Sequence, residues 1–238
     1  MNYKRKDRNL DEIRPIEAKA GIIKNADGSA MFRIGKTVAY AAVYGPRDLY
    51  PKFLQDPLKG VLRCNYNMMP FSGSGERVRP GQSRRSREIS MVTEKALLPV
   101  VDLNDFPNAV VDVFIELPQT DAGSRCAGIC AASIALADAG LSMKGLVSAV
   151  SVGNLNGTLV VDLDKEEEDI EGEVADIPIA MVKRTGAITL MQMDGIVEKD
   201  QVMKLLEMIK DACGKIHDVQ TKALKEKYKG SMDNGDEN

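Results

Sequence analysis

Arginine is concentrated in one short polar segment of a protein that is acidic overall. The chain has a formal net charge of −3, yet five arginines lie between residues 77 and 87: Arg77, Arg79, Arg84, Arg85 and Arg87. Ser83 is a good N-cap residue, so we expect a helix whose first turn carries Arg84 and Arg85. A cation gains nothing from the positive end of a helix dipole, whereas an anion gains from both the dipole and the arginines. The segment therefore predicts a site for phosphate, with a solvated basic loop as the plainer alternative.

A second arginine stands at a predicted helix start in the stretch "TDAGSRCAGICAAS", residues 120–133. Gly123 would let the backbone approach a ligand, Ser124 supplies a hydroxyl and Arg125 supplies a guanidinium group. Small residues follow at helical spacing, which favours a slim, tightly packed helix. A glycine-serine turn that only caps a core helix is the alternative. Two such helix starts together favour a ligand with one or more phosphate groups.

The third candidate group is acidic. The run "EEED", residues 166–169, ends at Asp169, and Asp176 comes just before the apolar residues of a predicted strand. Asp176 could be a general acid or a ligand of Mg²⁺, or it could simply cap a turn. Asp169 belongs to a charge run, and such runs are usually solvated. Arginines that bind phosphate, together with carboxylates, suggest phosphoryl transfer.

Composition excludes several other kinds of site. The chain has 238 residues and one histidine, His217, so we do not expect serine–histidine or cysteine–histidine catalysis. Cys126 and Cys130 could hold zinc at helical spacing, but no second pair accompanies them, so small buried thiols are the favoured interpretation. Neither a P-loop nor a dinucleotide fingerprint is present, which argues against a nucleotide-binding metabolic enzyme. Without a long apolar run or a signal-peptide core, the expected location is the cytoplasm.

The order of predicted elements is strands, helix, strand, helix, strands and a long final helix. This order predicts an α+β fold with helices packed on mainly antiparallel sheets. Turn signals include "NADG" at 25–28, "NLNG" at 154–157 and Thr185–Gly186. No linker divides the chain, so we expect a single domain over residues 1–229 and a disordered tail over 230–238.

Several blocks of the sequence resemble the RNase PH family in family order. They are "DEIRPIEAKAGIIKNADGSAMFRIGKTVAYAAVYGPRD", "LRCNYNMMPFS", "SRRSREIS", "TDAGSRCAGICAASIALADAG" and "EEEDIEGEVADIPIA". The amino-acid sequences of these blocks most resemble those of the catalytic subunits of archaeal exosomes. The resemblance implies an RNase PH-like fold, related to domain 2 of ribosomal protein S5. It also implies 3′→5′ phosphorolysis of RNA, in which inorganic phosphate releases nucleoside 5′-diphosphates and the reverse reaction adds 3′ tails.

The resemblance also assigns roles to residues of this chain. Gly123, Ser124, Arg125 and Arg85 match positions that bind the attacking phosphate. Arg84 and Arg63 match positions that hold RNA near its 3′ end, and Arg77 of the basic cluster is grouped with them. Asp169 and Asp176 match two aspartates near a Mg²⁺ site, one of them the general acid. Their spacing here is seven residues where the family pattern leads us to expect six.

The partners implied are single-stranded RNA 3′ ends, an inactive RNase PH-like paralogue in a hexameric ring of three heterodimers, and RNA-binding cap subunits. Two alternatives remain within the family. One is a stand-alone RNase PH that trims tRNA 3′ ends. The other is a non-catalytic RNA-binding ring subunit, which we would expect to have lost the arginines and aspartates named above.

Overall fold

The computed structural model describes residues 3–5, 7–74 and 77–233. The first half contains β1 (Ile16–Ala20), β2 (Gly28–Ile34), β3 (Thr37–Asp48), a 3₁₀ turn (Lys52–Leu54), β4 (Val61–Met68), α1 (Arg84–Leu97) and β5 (Ala109–Gln119). The second half contains α2 (Ser124–Asp138), β6 (Val147–Leu155), β7 (Thr158–Val161), α3 (Lys165–Glu168), β8 (Val174–Val182), β9 (Ala187–Met191) and α4 (Lys199–Asp233).

The first sheet has five strands in the order β1-β2-β3-β5-β4. Its neighbours are antiparallel except for β4 and β5, which run parallel and are joined through α1. Parallel strands end at the same edge of a sheet, so α1, which follows β4, and α2, which follows β5, both start near that edge. The predicted α+β class is confirmed, and this parallel pair determines where the helix starts meet.

The second sheet has four antiparallel strands in the order β7-β6-β8-β9. The predicted turns are present: β6 and β7 are joined at 156–157, and β8 and β9 at 183–186. Asp176 is the third residue of β8 and lies opposite Gly153 of β6. The second sheet thus carries the candidate acid.

Helix α2 packs between the two sheets, against β2, β3 and β5 on one side and β6 and β8 on the other. Nearly every residue of the helix is buried, which explains its alanine, glycine, serine and cysteine content. At Gly28 of β2, an added Cβ would lie 2.3 Å from the carbonyl oxygen of Ala135. Strand and helix backbones therefore meet almost directly, and α2 has little freedom to shift.

The remaining helices close the outside of the structure. Helix α1 covers β4, and α4 packs on β1 and β6. Helix α4 runs on to Asp233, through the first four residues of the predicted disordered tail, and residues 234–238 lie outside the described residues. Within the described ranges, no helix is both long and apolar enough to cross a membrane. All four cysteines are buried and free, as the sequence predicted.

Candidate active site

The starts of α1 and α2 open onto one cleft, as the parallel pairing of β4 and β5 requires. Ser83 caps α1 as predicted: its hydroxyl accepts a hydrogen bond from the amide of Ser86, and the Ser86 hydroxyl accepts one from the amide of Ser83. Arg84 and Arg85 therefore occupy the first helical turn. Only Arg85 lines the cleft, while Arg84 is exposed beside it.

The turn before α2 has an unusual backbone. Ala122 and Gly123 both have positive φ angles, of 55° and 61°. The turn is held from behind by Thr37, whose hydroxyl donates to the carbonyl of Ala122 at 2.7 Å. Buried Arg14 donates to the carbonyl of Asp121 and forms an ion pair with Asp162 at 2.7 Å. These contacts fix the position at which α2 begins.

The first turn of α2 presents hydrogen-bond donors to the cleft. Gly123 is the N-cap and supplies no side-chain acceptor, so the first amides of the helix have no partner within it. The Ser124 oxygen accepts a hydrogen bond from the hydroxyl of Tyr66 at 2.9 Å, which leaves its own proton available for donation. Burial raises the pKa of Tyr66, which keeps this phenol protonated and donating. The turn can therefore donate several hydrogen bonds to one anion.

Two adjoining cavities form the cleft. The first, of about 300 Å³, is bounded by the α2 turn and by Arg85, Arg125, Lys165, Glu168 and Asp176. The second, of about 550 Å³, shares these five charged residues and adds Glu88, Asp169, Gln192 and Asp194. Three cations thus face two carboxyl groups in the first cavity, and carboxylates are more numerous in the second. The first cavity suits a small anion and the second a larger, mixed ligand.

Asp176 lies at the junction of the two cavities. Its side chain accepts a hydrogen bond from the hydroxyl of Ser151, and its backbone pairs in both directions with that of Asp194, at 2.8 and 2.9 Å. Burial raises the pKa of Asp176, opposed by the Ser151 hydrogen bond and by Arg125. A carboxyl group with a raised pKa retains a proton more readily and is suited to general-acid work.

Glu168 was not among the residues that sequence reasoning selected. It lines both cavities, and burial followed by the nearby charge of Asp176 raises its pKa to about 7. Asp169, which was selected, is exposed and lines only the second cavity, where its carboxylate forms an ion pair with Lys165 at 2.7 Å. Lys165 was missed as well. Glu168, and not Asp169, therefore resembles Asp176, because both side chains line the two cavities and both have a raised pKa.

Two other predicted residues do not join this cleft. Arg63 alternates with buried Cys64 and Tyr66 and so lies on the opposite face of the first sheet, where it binds Asp112 at 2.6 and 2.9 Å. Arg77 is exposed and lines a separate hollow with Phe71. The structure thus brings together Arg85, the α2 turn and Asp176, while Arg63, Arg77 and Arg84 lie outside the two cavities.

The carboxylates of the cleft bear on whether it could hold a metal ion. No three histidine, cysteine, aspartate or glutamate side chains within the described ranges are grouped closely enough to hold an ion. The donors of the second cavity are nevertheless carboxylates, which suit Mg²⁺, and this ion is commonly held by one or two carboxylates together with substrate oxygens. The residues present fit that mode and do not fit an all-protein cage.

Comparison with known proteins decides the family. A model of domain 1 of the 3′ exoribonuclease family, RNase PH, matches residues 12–142, and a model of domain 2 matches residues 145–212. The chain belongs to the RNase PH family. The first segment ends just after α2 and the second starts before β6, so the cleft of this RNase PH member takes residues from both.

Relatives of this RNase PH member include archaeal proteins of nearly the same length. It is 50% identical over 228 residues to exosome complex component Rrp41 of Thermococcus kodakarensis, covering 95% of this chain and 90% of that protein. The protein of the same name in Methanopyrus kandleri is 47% identical over 223 residues, covering 94% and 92%. The crystal structure of rice Rrp46 superposes with a TM-score of 0.81 at 23% identity, over 92% of this chain and 98% of that one. The last comparison confirms the RNase PH-like fold.

Proposed function

We propose that this chain is the catalytic subunit of a phosphorolytic 3′→5′ exoribonuclease, as its family and its relatives suggest. The observation that carries the proposal is the first cavity. There two helix starts, each with an arginine, meet a carboxyl group whose pKa is raised. Such a cavity can hold phosphate beside a proton donor, and phosphorolysis needs both.

In the proposed reaction, an oxygen of inorganic phosphate attacks the phosphorus of the last phosphodiester. A new P–O bond forms, the bond to the 3′ oxygen of the preceding nucleotide breaks, and a nucleoside 5′-diphosphate leaves. Asp176 gives its proton to the departing 3′ oxygen. Phosphate is already a nucleophile, so no histidine or activated water is needed. Two anions must instead be held together against their repulsion, which is the role of Arg85, Arg125 and the Ser124 turn.

The second cavity is the proposed place of the terminal nucleotide. It adjoins the first, is larger, and shares Arg85 and Arg125 with it. Arg84 and Arg77 are exposed outside the two cavities and are proposed to contact the RNA backbone, with Arg63, on the opposite face of the sheet, contacting RNA further along. Binding through phosphates is salt-dependent and weakly selective for sequence.

We propose Mg²⁺ as the cofactor, which Asp169 or Glu168 would hold beside Asp176 together with oxygens of the RNA. When bound, it would neutralise charge that develops on the substrate phosphates. The carboxylates that line the second cavity support this assignment.

The named relatives are exosome components, and we propose that this chain likewise works in the cytoplasm within a hexameric ring with an inactive paralogue, under RNA-binding caps. Apolar side chains exposed on two separate segments support contacts with neighbours. One segment carries Tyr50, Phe53, Leu54 and Leu58, and the other carries Ile188, Met191, Met193 and Ile196.

The decisive experiment is to incubate the chain, alone and with candidate ring subunits, with oligoadenylate and Mg²⁺, with and without inorganic phosphate. We expect nucleoside diphosphates only when phosphate is present. Monophosphates formed without phosphate would mean hydrolysis and would overturn the mechanism. Full activity of the chain alone as a homohexamer would favour the stand-alone tRNA-trimming enzyme, and no product in any mixture would favour the non-catalytic subunit.

A further inference from the structure

Arg125 is held by a residue to which neither the motifs nor the family comparison assigns a role. One terminal nitrogen of its guanidinium group, Nη1, donates to Oε1 of Gln192 at 2.6 Å. Arginine has donors only, so the amide oxygen of Gln192 must face it. Gln192 comes directly after β9, far from α2 in sequence, and lines the second cavity.

The Nε atom of Arg125 is buried and has no hydrogen-bond partner within the described part of the chain. Leaving a buried donor unpaired is costly, particularly on a charged group. Arg125 lines the first cavity together with Arg85 and Ser124. One terminal nitrogen is thus fixed by the protein, while the guanidinium group keeps donors that no described residue is seen to use.

The backbone around Gln192 is held against the strand that carries Asp176. The amide of Gln192 donates to the carbonyl of Pro178 at 3.1 Å, and Asp194 pairs with Asp176. Gly195 has a φ of 104°, and a Cβ there would lie 2.5 Å from the carbonyl oxygen of Val174. The segment 192–195 therefore lies close against β8, and the Gln192 side chain extends from a fixed base.

We propose that Gln192 is a positioning residue, which fixes the Arg125 guanidinium so that its remaining terminal nitrogen, Nη2, can face the attacking phosphate. A free arginine side chain would have to give up much of its rotational freedom on binding, and the Gln192 contact removes part of that cost beforehand. This inference rests on the proposed function, because it assumes that phosphate is the ligand of the first cavity. Gln192 would then set the affinity for phosphate without contacting the phosphate itself.

The test compares Gln192→Met, which keeps the length of the side chain but loses the acceptor, with Gln192→Glu, which places a carboxylate on Arg125. In the complex with ring subunits, we expect Gln192→Met to raise KM for phosphate about tenfold, the usual effect of losing a hydrogen bond to a charged group, and to change KM for RNA less. Gln192→Glu should raise it further, since its charge neutralises the arginine and repels phosphate. Gln201→Met is the matched control, because the half-buried Gln201 also accepts a side-chain hydrogen bond, from Asn154 at 3.2 Å, but lines neither cavity.

A second readout needs no turnover: the rise in Tm of the full chain on adding inorganic phosphate. This rise should be smaller in both Gln192 variants than in wild type and Gln201→Met. An equal rise in all four proteins, or an unchanged KM for phosphate, would overturn the role of Gln192 while leaving phosphorolysis intact. No phosphate effect on wild-type Tm and no phosphate-dependent product would overturn this role and the proposed function together.

Discussion

At the scale of single residues, the cleft depends on how burial is balanced against charge at two carboxyl groups. Burial raises the pKa of both Asp176 and Glu168, and nearby cations lower it. Burial has the larger effect, so both pKa values are raised. The capacity of these side chains to hold and donate a proton therefore depends on their surroundings and not on their chemical type.

Replacing Asp176 with asparagine removes the proton but keeps the size of the side chain. We expect turnover to fall by about 100- to 10,000-fold, the range for loss of a general acid, with RNA binding retained. Single-turnover release of nucleoside diphosphate and a filter-binding assay would measure the two effects. Asp105→Asn, on an exposed loop, is the control; turnover of Asp176→Asn equal to that of this control would remove Asp176 as the acid.

Glu168 should make stability depend on pH. Its pKa is near the ordinary glutamate value of 4.5 when unfolded and about 7 when folded. Between these values the folded protein binds more protons, so this group makes the protein less stable as pH rises from about 4.5 to 7. Glu168→Gln should therefore raise Tm relative to wild type at pH 8 but not at pH 4.5. Thermal unfolding in phosphate-free buffer measures this, with exposed Glu166→Gln as control, and a Tm difference that is constant across pH would contradict the assignment.

At the scale of elements, the sequence predicted where the helices start but not how those helix starts are placed relative to one another. Ser83 and the small residues of α2 indicated the helix starts correctly, because capping and packing depend on neighbours in sequence. The parallel pairing of β4 with β5 brings those helix starts together, and no short stretch of the sequence signals that pairing.

The acidic run shows the same limit. Glu167 points into the protein, where Arg5 binds it at 2.6 and 2.8 Å, and this contact sets the orientation of α3. The next residue, Glu168, then turns toward the cleft, and Asp169 turns outward. Four acidic residues in succession could not reveal which of them faces Asp176, since a long-range partner decides it.

The α2 turn can be tested by a pair of glycine substitutions. Gly123 and Gly140 flank the helix and have φ angles of 61° and 77°. Alanine at either position should cost on the order of 1 kcal/mol, because a Cβ disfavours this backbone region. Only Gly123→Ala should also weaken phosphate binding, since a Cβ there lies 3.4 Å from Arg14 and beside the cavity. Chemical denaturation and phosphate titration measure both quantities, and equal phosphate affinity in the two variants would count against the turn as the phosphate site.

At the scale of the whole molecule, the two family segments are joined by a shared interior. One hydrophobic cluster includes residues of both sheets, of α2 and of α4. We propose that residues 1–229 unfold as one unit, and we expect a single calorimetric transition whose calorimetric and van't Hoff enthalpies agree. Two resolved transitions, each matching one segment, would show two independent domains instead.

The burial of α2 between two sheets has a further consequence for exchange with solvent. The inner turns of this helix have no surface from which they can open locally, so their amide protons should exchange with deuterium only when the whole protein unfolds. The amides of its first turn belong to the same rigid helix but face the open cleft. Ligand and solvent therefore meet one end of an element whose other turns are among the slowest-exchanging parts of the molecule.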